Sequence, residues 1–156
     1  MSSNDFCVRC YNGSMDQVVK ALRKLHNLET MAVQIYRVQI GAFGGSEVAE
    51  KLVAAMENEQ THIDSFYESL TRSGGKPSPL RHLFWIVGKM AGFAPRLLGK
   101  RMILKGDIAF ETKAVKDYSK MLQEIPFDDQ TRKITEKNLH DEERHIRTWQ
   151  QAIESL

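Results

Sequence analysis

Glutamate residues interrupt the apolar seams of four long stretches that otherwise have the spacing of amphipathic helices. Apolar residues repeat in these stretches at alternating steps of three and four, which predicts one buried face on each helix. The interrupting residues are Glu29, Glu59, Glu111 and Glu142. An unpaired carboxylate inside a helical bundle is costly. If the four seams face one another, cations must therefore lie between the glutamates.

Glycine, proline and capping residues divide the chain into helices, and no convincing strand pattern accompanies them. Short connections join the first helix to the second and the third to the fourth, which predicts two antiparallel pairs. We therefore expect an all-α four-helix bundle with one crossover, and a shorter apolar helical segment between helices two and three. The predicted boundaries are Ser14 to about Ile40, Ser46 to Gly74, Pro79 to about Leu122 with a break near Gly92 and a restart at Pro95, and Asp128 to near the C-terminus.

Length and charge fit one small domain that does not bind nucleic acid. The chain has 156 residues and a net charge of +2. We assign residues 1–13 to a flexible N-terminal tail and residues 14–156 to the bundle. The tail holds Cys7 and Cys10, and one Cys-x-x-Cys pair cannot by itself form a four-thiolate site. The lack of a secretory leader pattern and of a long apolar run predicts a cytoplasmic protein.

Two histidines complete a repeated arrangement of six side chains that can bind metal. The second and fourth helices each carry a Glu-x-x-His motif, formed by Glu59 with His62 and by Glu142 with His145. Residues three apart share one helix face, so both side chains of a motif can reach one site. Glu29 precedes Glu59 by 30 positions, and Glu111 precedes Glu142 by 31. This ordered set matches the ferritin-like di-iron carboxylate pattern.

The ligand types indicate two iron ions, with manganese as an alternative. In such sites the glutamates of the two Glu-x-x-His motifs, Glu59 and Glu142, bridge the metals. The remaining four side chains are then terminal ligands. The neighbours of the last motif lie off the seam, and we expect them on the surface: His140, Asp141 and Glu143.

The sequence resembles the demethoxyubiquinone hydroxylase family of the ferritin-like superfamily, from about Leu22 to His145. The resemblance rests on the 52-residue gap between Glu59 and Glu111 and on the stretch LLGKRMILKGDIAFETKAVKDY. Tyr118, seven residues after Glu111, also matches the family pattern. The six metal ligands carry over one by one. Two departures are Asn27-Leu28, where the family usually has Ala-Gly, and Asp117, where it usually has histidine.

The resemblance implies a monooxygenase that uses dioxygen to hydroxylate the ring of a prenylated quinol. Two alternatives stay open at this point. One is a peroxidase or ferroxidase of the rubrerythrin or ferritin kind, with peroxide or iron as substrate. The other is a metal-binding bundle without enzymatic activity. We also expect a homo-oligomer.

Three further side chains are candidates for a catalytic or supporting role. Tyr36 and Tyr118 each lie seven residues, or two helical turns, beyond a ligand and could donate hydrogen bonds or carry electrons. His26 lies one turn before Glu29 and could support it. The equally open alternative is that all three are ordinary core residues with satisfied hydrogen bonds.

The crossover segment is both the most apolar and the most one-sidedly basic part of the chain. No acidic residue occurs from Ser69 to Gly106, whereas eight lysines and arginines do. Apolar bulk with a basic rim favours peripheral contact with an anionic membrane on its inner face. Packing over the bundle or a dimer interface is the alternative. The residues predicted to lead membrane contact or substrate entry are Leu83, Phe84, Trp85, Ile86 and Val87.

Overall fold

The computed structural model describes the backbone of residues 3–156 and the side chains of residues 14–156. The first helix begins at Ser3, so Ser14 lies within it and does not cap it. The side chains of Cys7 and Cys10 lie outside the described residues. The assignment of residues 1–13 to a separate flexible tail therefore stays a prediction.

The described chain is an all-helical bundle with one crossover, which confirms the predicted fold class. Helices α1 and α2 form one antiparallel pair, and α4 and α5 form the other. The crossover helix α3 lies along the outside of α1, and a single 3₁₀ segment leads from it to α4. The elements are α1 (Ser3–Phe43), α2 (Glu47–Arg72), α3 (Arg81–Phe93), the 3₁₀ segment (Ala94–Leu98), α4 (Lys100–Glu124) and α5 (Asp129–Glu154).

Two predicted capping residues begin the helices that carry the Glu-x-x-His motifs. The Ser46 hydroxyl accepts a hydrogen bond from the backbone N–H of Ala49 at 3.4 Å. An Asp128 carboxylate oxygen accepts one from the backbone N–H of Thr131 at 2.8 Å. Each cap satisfies a helix N–H that has no partner within its own helix. These caps fix where α2 and α5 begin, and hence the heights at which their motifs enter the bundle.

The predicted break near Gly92 agrees with the structure to within one residue, because α3 ends at Phe93. The predicted restart at Pro95 is wrong: the 3₁₀ segment follows, and the chain turns at Gly99 before α4 begins at Lys100. Gly92 lies inside α3 and is buried against the backbone of Ile35 in α1. Gly88, one turn earlier, is buried against Met31 in the same way. The two glycines thus let α3 approach α1 closely. Gly99 has a φ of +94°, a conformation that glycine adopts without strain.

The predicted seam of α4 also needs correction, because its buried line runs through different residues. The apolar periodicity of the sequence predicts a buried line through Leu104, Ile108, Glu111, Val115, Tyr118 and Leu122. In the structure Ile108, Val115 and Leu122 are only half-buried. An α-helix has 3.6 residues per turn, so steps of three and four can be ordered in more than one way along a seam. The residues that α4 buries are Ile103, Leu104, Asp107, Glu111, Ala114, Tyr118 and Met121.

The bundle interior consists of two apolar clusters with a polar layer between them. One cluster lies at the end that includes Leu22, Leu70 and Phe127, and the other at the end that includes Phe43 and Trp149. Fully buried charged side chains occupy the layer between the clusters. The apolar clusters hold the four long helices together at both ends, so the polar layer does not have to.

The crossover helix leaves much of its apolar surface uncovered. Leu83, Trp85, Ile86, Val87 and Met90 are all exposed, and we call this surface the apolar face of α3. Nevertheless, within the part of the chain that the structure describes, no helix has the length and hydropathy needed to cross a membrane.

We predict that Gly92→Ala loosens α3 from α1. A Cβ at this position would lie 2.6 Å from the carbonyl oxygen of Ile35, so one of the two backbones must move. We expect a loss of about 1–3 kcal/mol in the free energy of unfolding, measured in urea. Gly106→Ala is the matched control, because its Cβ would meet only Pro95 at 3.7 Å. The control should be neutral or stabilising by up to about 1 kcal/mol. Equal stability of both variants would contradict the close approach.

Candidate metal centre

The structure brings the six predicted ligand side chains together in the polar layer of the bundle. They form two groups of four, and within each group one potential ligand atom per residue lies within 4.8 Å of the others. One group contains Glu29 and His62, and the other contains Glu111 and His145. Both groups share Glu59 and Glu142. The shared pair is the one for which the sequence predicts a bridging role between two metals.

The ligand atoms approach one another closely without forming hydrogen bonds. Nδ1 of His62 lies 3.0 Å from Glu59 and 3.2 Å from Glu142. Nδ1 of His145 lies 2.9 Å from Glu59. Neither of these two buried nitrogens has an aligned hydrogen-bond partner. The same is true of both carboxylate oxygens of Glu59 and both of Glu142. Buried polar atoms are normally satisfied. Atoms that converge on a common space fit a shared cation better than they fit one another, and their oxygen and imidazole chemistry suits iron or manganese.

The protonation of the metal-free site follows from burial and from charge repulsion. Burial, together with the neighbouring charges of Glu142 and Glu59, raises the pKa of Glu29 and of Glu111 well above its usual range. Burial would also raise the pKa of Glu59, but the adjacent imidazoles of His145 and His62 lower it below its usual range. Both shifts favour the protonated forms of Glu29 and Glu111 when no metal ion is bound.

The pKa values of His62 and His145 are raised above the usual value of histidine, although burial alone would lower them. Burial would lower the pKa of His145, but Glu142 and Glu59 raise it to about 9. The pKa of His62 is raised as well, because the carboxylates of Glu142, Glu29 and Glu59 outweigh its burial. Both imidazoles are thus cationic at neutral pH without metal, and they partly compensate the carboxylates.

Asp141 supports the site, although its position off the seam predicted a surface residue. It is 5% exposed, and its Oδ2 lies 3.0 Å from Nε2 of His62. Lys137 and Arg144 pair with the same carboxylate at 2.7 Å each. A carboxylate on the far nitrogen of a ligating histidine fixes the ring and leaves Nδ1 for a metal. The surface prediction holds for His140, which is exposed.

The second histidine has no equivalent support. In the repeated pattern the residue before Glu59 is Asn58, which corresponds to Asp141 before Glu142. The Asn58 side chain donates a hydrogen bond to Asp141 at 3.3 Å and forms none with His145. No described side chain is hydrogen-bonded to Nε2 of His145. The two halves of the site therefore have equivalent ligand types, but only His62 has a carboxylate hydrogen-bonded to its far ring nitrogen.

Both predicted tyrosines contact the site, and each crosses from one helix pair to the other. The Tyr36 hydroxyl in α1 donates a hydrogen bond to Glu111 in α4, and Tyr118 in α4 donates one to Glu29 in α1. Nε1 of Trp149 donates to the Tyr36 hydroxyl at 3.1 Å. Burial is the largest cause that raises the pKa of both tyrosines. Both phenols therefore keep their protons and act as donors to the terminal carboxylates.

A second buried polar pair lies next to the site and was missed from the sequence. Nε2 of Gln39 donates to Asp107 at 2.8 Å, one turn before Glu111. Burial raises the pKa of Asp107 to about 7. The signal was the 3.6-residue period of α4, which places Asp107 one turn from Glu111, but Ile108 next to it fitted an apolar seam better.

The remaining predicted site residues do not join the six ligands. His26 is buried, but neither of its ring nitrogens bonds to a described side chain. Leu83, Trp85, Ile86 and Val87 lie on the exposed apolar face of α3, where Phe84 is half-buried.

Comparison with known proteins decides the family. The profile of the family described as "Ubiquinone biosynthesis protein COQ7" matches residues 16–155, a span that includes all six candidate ligands. This chain belongs to the COQ7 family. Proteins named 3-demethoxyubiquinol 3-hydroxylase from Pseudomonas paraeruginosa strain PA7 and from Pseudomonas aeruginosa strain LESB58 are each 30% identical to it over 125 residues. Each alignment covers 80% of this chain and 58% of the relative, so the chain spans under two thirds of the length of these relatives.

The COQ7 match confirms the resemblance to the demethoxyubiquinone hydroxylase family that the sequence indicated. The match starts at residue 16, after the two cysteines, so the Cys-x-x-Cys pair lies outside it.

We predict that metal binding by this COQ7-family chain releases protons and strengthens as pH rises. A metal ion must displace protons from Glu29, Glu111 and both imidazoles, whose pKa values are raised in the metal-free site. Apparent affinity for Mn²⁺ should rise as the pH approaches about 9, the pKa of His145, and should not level off below it, because the pKa of His62 is raised as well. Titration calorimetry in buffers of different ionisation enthalpy measures the proton count. His140→Ala, which removes an exposed imidazole, should leave the count unchanged. Binding without proton release would contradict this protonation of the site.

Proposed function

We propose that this chain is a two-iron monooxygenase that hydroxylates the ring of a prenylated quinol in ubiquinone biosynthesis. The observation that carries the proposal is the pair of buried four-residue groups sharing Glu59 and Glu142, found in a member of the COQ7 family. The Pseudomonas relatives described above are named 3-demethoxyubiquinol 3-hydroxylase. The natural co-substrate is dioxygen.

The six side chains would hold two iron ions, with manganese as the alternative. Glu29 and His62 would complete one position and Glu111 and His145 the other, with Glu59 and Glu142 between them. When bound, the iron pair supplies the electrons and the open coordination positions that dioxygen chemistry needs.

The protein contributes orientation, proton control and exclusion of water. Tyr36 and Tyr118 hold their protons toward Glu111 and Glu29, which fixes the terminal carboxylates in place. Asp141 fixes the ring of His62. Trp149 and Phe66 are fully buried beside the two tyrosines and keep bulk water from the polar layer. In this environment each carboxylate has few polar partners that could take the place of a metal ion.

The proposal predicts two irons per chain and oxygen-dependent turnover of a demethoxyquinol. Glu142→Gln should lower iron content to one equivalent or less and reduce product formation by at least about a hundredfold, because it removes a shared ligand. Anaerobic iron loading, followed by oxygen exposure with and without the quinol, measures both. Glu143→Gln, which changes the adjacent half-buried residue, should behave like the wild type.

The outcomes of this experiment separate the alternatives. Two irons with turnover of peroxide, but no effect of the quinol, would replace the hydroxylase proposal by the rubrerythrin-like peroxidase. Uptake and oxidation of iron beyond two equivalents would favour a ferroxidase. Failure to bind two metal ions would leave a bundle without this chemistry.

We propose further that the apolar face of α3 rests on an anionic membrane, where a prenylated substrate resides. Leu83, Ile86, Met90 and Phe93 are each at least 49% exposed. Leu97 and Leu98, just after α3, are 76% and 70% exposed, so the exposed apolar surface of the described residues is concentrated in this part of the chain. The face lies in the segment without acidic residues, between Ser69 and Gly106. Basic side chains around an apolar surface complement a negatively charged bilayer. A homo-oligomer and a cytoplasmic location at the inner face of the membrane stay predictions.

Co-sedimentation with anionic vesicles tests the membrane contact. Trp85→Glu should weaken partitioning by about tenfold or more, because a charge replaces a 40% exposed ring at the contact surface. Tyr67→Glu is the matched control: Tyr67 is 49% exposed but lies on α2, outside the apolar face. Equal effects of the two substitutions, or no vesicle binding by the wild type, would disprove the contact.

A further inference from the structure

A cavity of about 510 Å³ lies where the beginning of α3 crosses α1 and α2, and we call it the α1–α3 pocket. None of the six candidate metal ligands lines it. The pocket is therefore a separate feature from the metal centre. The lining side chains that matter here are His26, Gln34, Arg37, Arg81, His82 and Trp85.

The pocket is lined by positively charged side chains, and its two arginines are free to bind an anion. No carboxylate lines the cavity. Arg37 and Arg81 are exposed and form no ion pair with a described residue. Asp64 acts electrostatically on His26 without lining the cavity, and its carboxylate accepts a hydrogen bond from Gln60 at 3.1 Å. Two unpaired guanidinium groups at one cavity are a typical arrangement for binding phosphate, because each offers a planar fork of donors.

Two buried polar side chains in the pocket wall lack partners. His26 is 5% exposed and Gln34 is 4% exposed, yet neither ring nitrogen of His26 and neither polar atom of the Gln34 amide is hydrogen-bonded to a described residue. Nδ1 of His26 and Oε1 of Gln34 are fully enclosed. Buried groups of this kind are normally satisfied by protein, water or a ligand. Nε2 of His26 and Nε2 of Gln34 are not among the fully enclosed atoms, and each can donate a hydrogen bond to a phosphate oxygen beside the two arginines, whereas Oε1 of Gln34 can only accept one.

The position of the pocket indicates which kind of molecule would carry a phosphate group bound there. Trp85 lines the pocket and also belongs to the exposed apolar face of α3. A group bound in the pocket therefore lies at the edge of the surface proposed to contact the bilayer. Tryptophan is favoured at that depth, beside the lipid headgroups. A phosphate held here can stay attached to acyl chains that run along the apolar face.

We propose that the α1–α3 pocket binds the phosphate group of an anionic phospholipid. The proposal rests on the membrane contact proposed above and adds a specific headgroup site to it. The apolar face supplies partitioning, whereas the pocket supplies preference for an anionic lipid and sets which edge of α3 lies deepest.

A neutral substitution separates a built site from general attraction between charges. Gln34→Leu conserves volume and net charge and removes an unpartnered amide, so the fold should not suffer. We expect it to weaken binding to vesicles of equal parts phosphatidylcholine and phosphatidylglycerol by about tenfold. Binding to phosphatidylcholine alone should not change. Diffuse electrostatics predicts no effect of this substitution on either vesicle.

Substitutions of the two pocket arginines provide a second test in the same vesicle-binding experiment. The double variant Arg37→Gln/Arg81→Gln should lose about 100-fold or more on the anionic vesicles, because general attraction of two charges, at about fivefold each, accounts for only about 30-fold. Arg101→Gln, in the same acid-free segment but outside the pocket, should lose at most about fivefold. Binding of inorganic phosphate without vesicles, weakened by Gln34→Leu while vesicle binding is not, would overturn the lipid assignment in favour of a soluble phosphate.

The remaining outcomes distinguish the two proposals. If the wild type binds neither vesicle, the membrane contact fails and the headgroup site fails with it. If the wild type binds anionic vesicles and Gln34→Leu binds them equally well, only the headgroup site fails.

Discussion

Six ionisable side chains that share one enclosed space are the constraint on which this bundle depends. Four carboxyl groups and two imidazoles lie in the middle of the chain's four long helices, where water cannot screen them. Protons on Glu29 and Glu111 and positive charge on the histidines reduce the repulsion in the metal-free protein. Metal ions would remove it. The surrounding features, from the helix caps to the tyrosines, serve to keep these six groups at the same height.

The ligand set was predictable from the sequence because it has a strong and unusual signature. Carboxylates on apolar seams, two Glu-x-x-His motifs and near-equal spacings of 30 and 31 residues are hard to explain otherwise. The fold followed from the same pattern, because six ligands on four helices can meet only in a bundle. The caps at Ser46 and Asp128 were predictable because capping chemistry is local.

The supporting residues were not predictable, because they depend on contacts between helices. Asp141 is off the seam of its own helix and becomes buried only because α2 presents His62 to it. Asp107 needs Gln39 from another helix in the same way. The close packing of Gly92 likewise depends on another helix, because the backbone of Ile35 in α1 lies against it. Periodicity within one helix contains none of this information.

The crossed tyrosine contacts tie the two helix pairs together in the layer where apolar packing is interrupted. Tyr36 from the first pair reaches Glu111 in the second, and Tyr118 from the second reaches Glu29 in the first. Each terminal carboxylate is thus held by the opposite half of the molecule. The position of each carboxyl group in the polar layer therefore depends on how the two helix pairs are aligned. A small shift of one pair along the other would break both tyrosine contacts, even while the apolar clusters at either end still held the bundle together.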